Sequence, residues 1–267
     1  MIRIGIAGIP HSAKGKGTGA GIERLHELGL DAMEVQFGRN VYMTTDAAVA
    51  IAAVAKKDDV SLSVHAPYYV NLTSKSGQTR EKSKGWIMKS ARVASALGAK
   101  VVTIHAAREE LPEVVIASFR EIVKALKKEG ITVPLGLETM GDEGEFGSLD
   151  DVLDVVRHVP GTGVVIDFAH LYARTNGGLK TMADFEAVLD RIDSVHKGGY
   201  HIHFSGIEYK DFREVRHVPL GEGGPDMKLF ARALSQRKCD ATVICESPLL
   251  EADALKLKQG LSIGEHS

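Results

Sequence analysis

Eight short β-rich segments, each followed by a longer stretch of helical character, predict an α/β chain folded as a single (β/α)8 TIM barrel over residues 1–267. Two further observations support that class. No shift in composition and no linker interrupts the alternation, so nothing divides the chain into two domains. Helix punctuation also falls where the units need it. Pro112 and Pro225 suit first helical turns, Ser148 followed by Asp151 resembles a capping box, and Gly98 and Gly130 suit C-terminal ends. A doubly wound open sheet is the alternative assembly of the same units.

In chain order, strands are expected near 2–8, 32–37, 61–65, 100–105, 131–138, 163–167, 199–205 and 241–246. Between the fourth and fifth, Val115, Ile116, Phe119, Ile122, Val123 and Leu126 recur at the spacing of one apolar helix face. After the first strand, Gly15-Lys16-Gly17-Thr18-Gly19 lacks the ending and spacing of a phosphate-binding P-loop and reads as a flexible βα connection.

Composition excludes several classes of protein. With 44% hydrophobic and 25% charged residues the chain is an ordinary globular one, and a formal net charge of −2 gives no bulk attraction to nucleic acid. Bound divalent cations are not counted in that figure and would change the local field. The two cysteines, Cys239 and Cys245, form no CxxC motif, which excludes a disulfide framework and a thiolate zinc site. No apolar run approaches the ~18 residues of a membrane span, and Met1 leads directly into a strand pattern. The expectation is a cytoplasmic monomer with no membrane partner.

Alternation within the strands assigns their faces. Leu62 and Val64 oppose Ser61, Ser63 and His65; Val102 and Ile104 oppose Val101, Thr103 and His105. Further on, Val133, Leu135 and Leu137 oppose Gly136 and Glu138, and Val164 and Ile166 oppose Val165 and Asp167. Tyr200, Ile202 and Phe204 oppose His201 and His203, and Val243 and Cys245 oppose Ile244 and Glu246. The bulky aliphatic phase suits the face packed on helices, which leaves the other phase to the barrel interior.

Six consecutive strands therefore bring His65, His105, Glu138, Asp167, His203 and Glu246 inward at or near their C-terminal ends, where barrels of this class build active sites. Histidines and carboxylates without cysteine favour zinc, manganese or iron over calcium or magnesium. The plainer reading of the pair after the sixth strand is that Asp167 caps the next segment and His170 is a hydrogen-bonded core histidine. His201, one layer below His203, is better read as a core hydrogen-bonding residue.

The segments Val64–Leu72, Ile104-His105, Leu137–Met140, Ile166–His170, His203–Ser205, Arg216–Gly223 and Cys245–Pro248, in that order, resemble endonuclease IV, the zinc-dependent abasic-site endonucleases among the xylose-isomerase-like barrels. The resemblance runs from the first strand to the last. It implies that His65 and His105 hold one zinc, that Asp167, His203 and Glu246 hold a second, and that Glu138 bridges the two as the residue most critical to catalysis. It also implies that His170 and His217 bind a third. The family carries an acid two positions before that second histidine, where this chain has Val215. Glu214, Glu208 or a water is then the candidate to fill that position, and the expected complement is two or three Zn2+ ions, with Mn2+ or Fe2+ acceptable at some sites. The implied partner is damaged double-stranded DNA, cut 5′ to an abasic site to leave a 3′ hydroxyl. The segment Gln36–Tyr42 resembles the family's first recognition loop, so Arg39 and Tyr68 are the expected DNA-binding residues. The plainer reading makes Arg39 a surface charge and Phe37 core, and makes Lys75, Arg80, Lys82 and Lys84 a solvated helix start.

Two other classes fit part of the pattern. A sugar isomerase or epimerase of the same superfamily would hold one metal with Glu138, Asp167, His203 and Glu246, and would not need His65, His105, His170 and His217 as ligands. A non-catalytic DNA-binding protein would keep the cluster for stability alone.

Overall fold

The eight expected strands form and close on themselves. They are β1 (Ile2–Ala7), β2 (Ala32–Gln36), β3 (Ser61–His65), β4 (Val102–Ile104), β5 (Leu135–Glu138), β6 (Thr162–Asp167), β7 (Tyr200–Phe204) and, beyond an inserted hairpin, β10 (Ala241–Cys245). All neighbours run parallel in the order β1-β10-β7-β6-β5-β4-β3-β2. Pairing of β1 with β10, for example Ile4 with Val243, closes the ring and excludes the open doubly wound sheet. This computed structural model describes residues 1–264; residues 265–267, at the end of the expected domain, lie outside the described residues.

Helices α1 (Gly17–Glu27), α2 (Thr45–Lys57), α3 (Gly77–Leu97), α4 (Pro112–Lys128), α5 (Leu149–His158), α6 (Phe168–Arg174), α7 (Met182–Asp193), α8 (Met227–Ser235) and α9 (Glu251–Gly264) accompany the strands. The expected apolar face of α4 is buried at all six positions. Each large side chain so removed from water contributes about 1.5–3 kcal/mol before entropy is subtracted. Pro112 occupies the first turn of α4, Ser148 and Asp151 form a reciprocal capping box on α5, and Gly98 caps α3 in the left-handed conformation. The sixth unit uses two helices, α6 and α7, and the apolar wedge of Phe168, Phe185, Phe204 and Phe230 ties both to α8 and β7.

Two expected boundaries are corrected. β5 begins at Leu135 rather than near residue 131, because Pro134 has no N–H for the ladder and offers only its carbonyl, to Val102 N. Pro225 lies outside α8, one residue before the N-cap Asp226, whose side chain accepts from the backbone of Lys228 and Leu229.

The hairpin is the departure from regular βα alternation. β8 (Gly206–Lys210) and β9 (Arg213–Val218) form a two-stranded antiparallel sheet immediately after β7. It packs on α6 through its own small apolar cluster, Ile207 against Ala169 and Ala173, flanked by Tyr172 and Tyr209. Segment α6 and the hairpin thus form one wall above the C-terminal end of the barrel.

Candidate metal centre

Alternation along the strands carries the predicted residues to one place. Glu138, at the end of β5, lies at the middle and is buried with both oxygens engaged. Its Oε2 is 2.7 Å from His105 Nε2 and 3.2 Å from His65 Nε2, while its Oε1 is 2.9 Å from His203 Nδ1. One carboxylate thereby faces two separate groups of donors. Gly136, two residues earlier, makes room below: a Cβ there would stand 2.5 and 2.6 Å from the side chains of Val165 and Val101.

Among the described residues four sets of donor atoms lie close enough to hold an ion each; one, Glu34 with His201 and His203, lies a layer below, and three meet at the centre. Those three are His65, His105 and Glu138; Glu138, Asp167, His203 and Glu246; and Asp167, His170 and His217. The capping reading of Asp167 holds for one of its oxygens and leaves the other free. Oδ1 accepts from His170 N and caps α6, whereas Oδ2 is buried with no hydrogen-bond partner. A buried carboxylate oxygen left bare beside imidazoles is what a cation site provides.

Most of these histidines are fixed through the nitrogen that points away from the centre. His65 Nδ1 lies 2.8 Å from Ala66 O, His170 Nδ1 lies 2.8 Å from Thr139 O, and His217 Nδ1 lies 2.6 Å from Ser205 Oγ. Those contacts select the tautomer and turn Nε2 of each ring inward.

The hairpin supplies the last donors. Tyr209 pairs with Glu214 and Glu208 with Arg216, so Val215 has no opposite residue and forms a β-bulge. In a regular strand residues 215 and 217 would share a face. The extra residue shifts that phase by one. Glu214 turns to the centre, 3.1 Å from His170 Nε2 and 3.5 Å from His217 Nε2, while Val215 is 55% exposed. Gly141 leaves the necessary space, since a Cβ there would lie 2.9 Å from that of Glu214. Glu208 instead pairs with Arg216 on the outer surface.

The electrostatics fit a cationic occupant. Burial alone would raise the pKa of Glu138, but the His203 and His105 rings overcome it and hold the carboxyl well below its usual range. Burial likewise opposes Glu214, yet the hydrogen bond to His170 brings it down to about 2. Conversely, desolvation depresses His65, and Glu138 outweighs it to push the ring up to about 9; Asp167 and Glu214 raise His170 in the same way. Converging carboxylates of this kind favour compensating positive charge, which divalent cations supply.

Above the centre is a cavity of about 380 Å³ lined by Gln36, Tyr68, His105, Glu246, Pro248 and Leu250 among others. Tyr68 is half-exposed; its ring lies 5.1 Å from that of His65 and its hydroxyl donates to Gln36 Oε1 at 3.0 Å. Arg39 is exposed in the turn after β2, separate from the donor cluster, and Phe37 is core. The basic run is partly tied down: Arg80 donates to Ser74 O, Lys84 pairs with Glu121, and Lys82 lies over Trp86. His201 makes the expected core contact, 3.0 Å from Glu34 Oε2.

Glu34 is the residue that the sequence reading missed. It is fully buried on β2, in a layer beneath the centre. An acid in the middle of Ala-Met-Glu-Val-Gln, in phase with Gln36, was the available signal.

The sequence matches the family described as xylose isomerase-like TIM barrel over residues 22–262. An uncharacterized protein of Methanocaldococcus jannaschii is 32% identical across 96% of each chain. A probable endonuclease 4 of Mycobacterium ulcerans is 30% identical across 73% of this chain and 76% of its own. Among solved structures, a D-tagatose 3-epimerase-like protein superposes with a TM-score of 0.75 at 20% identity, covering 98% of this chain and 97% of its own. Endonuclease IV from Thermus thermophilus gives 0.74 at 22%, covering 99% of each. Such structural likenesses establish the fold alone, and a nuclease and an epimerase-like protein match it equally well. With most of its length matched to that family and its barrel closed, the chain belongs to the xylose isomerase-like TIM barrels.

Proposed function

We propose that the protein is a metal-dependent endonuclease that hydrolyses the DNA phosphodiester 5′ to abasic sites, leaving a 3′ hydroxyl, and acts as a cytoplasmic monomer. The observation that carries this reading is the third donor set. His170, His217 and Glu214 converge beside the two sets that share Glu138, and an isomerase holding one ion has no need of them. Zinc suits five imidazoles with carboxylates and no thiolate.

In this reading His65, His105 and Glu138 hold one ion, and Glu138, Asp167, His203 and Glu246 a second. His170 and His217 hold a third, with Glu214 as its carboxylate. Ions of this class supply Lewis acidity toward a phosphoryl oxygen and lower the pKa of water. The protein's own part is positional. Glu138 spans two donor sets with its two oxygens, and the backbone and Ser205 hold the rings in one tautomer each. Tyr68 stands at the rim as a half-exposed aromatic wedge, and Arg39 offers a cation to phosphate. An abasic nucleotide, lacking a base to unstack and unpair, enters such a cavity at lower cost than an intact one.

The test is a duplex carrying one abasic analogue, incubated with zinc-loaded protein with and without chelator. Chelator-sensitive incision 5′ to the lesion is expected. A second reading, a monosaccharide epimerase, is favoured by one observation: Glu138, Asp167, His203 and Glu246 alone complete a four-donor set under the cavity. Absence of incision together with turnover of a ketose, at one bound ion per chain, would replace the nuclease reading with that one.

A further inference from the structure

His203 differs from the other pinned histidines in what holds its far side. His65 and His170 face backbone carbonyls and His217 faces a hydroxyl, all neutral groups. His203 faces a carboxylate: Nε2 lies 3.1 Å from Glu34 Oε1, while Nδ1 turns to Glu138 at 2.9 Å and Glu246 at 3.4 Å. The Nε2 contact falls outside ideal hydrogen-bond geometry, and neither atom has another partner. Both groups are fully buried, so no water competes for the contact.

Glu34 is itself anchored. Its Oε2 is 2.8 Å from Ser63 Oγ, 3.0 Å from Thr103 Oγ1 and 3.0 Å from His201 Nε2. Three contacts on one oxygen orient the carboxylate and leave Oε1 for His203 alone. Glu34, His201 and His203 also bring donor atoms within 4.8 Å of one another, but Oε2 is already committed to hydroxyl protons. A neutral His203 offers an ion one nitrogen only, and Nδ1 is the one that faces Glu138 and Glu246, which leaves Nε2 to Glu34.

We infer that Glu34 is a positioning residue: it holds His203 as the Nε2–H tautomer with Nδ1 turned to the donor set of Glu138, Asp167 and Glu246, and its negative charge strengthens that imidazole as a ligand. A carboxylate behind a metal-binding histidine acts in this way generally, and its removal costs about 10–100-fold in metal affinity. The inference rests on the metal-binding part of the proposed function and is independent of the substrate.

The experiment measures zinc affinity of the full chain by chelator competition for the wild type, Glu34→Gln and Glu34→Ala, with the melting temperature of each metal-free protein. Glu34→Gln keeps the volume and an acceptor while removing the charge, and it remains informative if the alanine variant fails to fold. The expected result is one zinc ion bound about 10–100-fold more weakly in Glu34→Gln, with the other ions titrating as in the wild type. Long-range 15N correlation spectra of the zinc-loaded wild type should assign the proton of His203 to Nε2. Glu34→Gln binding every zinc ion with wild-type affinity, or a zinc-loaded wild type with the His203 proton on Nδ1, would overturn the proposal. A wild type that takes up no zinc would overturn it together with the metal reading. Zinc binding that depends on Glu34 without DNA incision would support this inference and reject only the nuclease.

Discussion

The barrel and its hairpin bring donors to the same centre by opposite routes. Barrel strands do so by regular alternation: His65, Glu138 and Asp167 end their strands and His203 lies one residue before the end of its own, all with neighbours in register, so each position on the ladder predicts the next. The hairpin does so by an irregularity. Its bulge at Val215 moves Glu214 into the phase that a regular strand would give residue 215. Regular elements make a site legible, whereas a single unpaired residue can relocate a ligand without changing the composition around it.

The strongest way to break that comparison is at the barrel's shared residue. Glu138→Gln is expected to lower incision by at least about 10³-fold, since it removes one charged bridge between two donor sets that together supply several kcal/mol. Circular dichroism and the melting curve should show a folded barrel. Retained activity would remove Glu138 from that position.

The hairpin variants come next. Glu214→Ala should reduce bound zinc from about three equivalents to about two, as one carboxylate of a three-donor site is lost. Val215→Asp should leave metal content at its wild-type value, because the bulge turns that side chain outward. If Val215→Asp rescued Glu214→Ala, the bulge would not be what selects the ligand.

A pH series separates the charge states of the centre. His65 is raised from 6.5 to about 9, so its protonated form stabilises the metal-free fold fully below pH 6.5, and that contribution disappears as pH rises through about 9. The melting temperature of chelated protein should fall over this interval. Metal ions require neutral imidazoles, so the increment that zinc adds should grow over the same range. Parallel pH profiles with and without zinc would show that the histidines do not face the ions.

The smallest effect belongs to the rim. Arg39→Ala should weaken DNA binding uniformly across sequences and reduce the slope of log affinity against log salt by about 1. An unchanged slope would make Arg39 a surface charge, as its plain exposure also allows.

The sequence by itself determined the barrel and its inward residues. A strand has a period of two whatever surrounds it, so an apolar phase against helices leaves the other phase to the interior, and the last inward residue of a strand in this fold stands at the active end. Tertiary structure decided what periodicity cannot encode. Whether Glu208 or Glu214 faces His170 and His217 depended on a bulge, which is a relation between β8 and β9 and not a property of either strand alone. The role of Glu34 depended on four residues from three other strands meeting its carboxylate across the closed barrel. Asp167 caps α6 with one oxygen and keeps the other bare at the centre, a division that only the packing of α6 against the barrel decided.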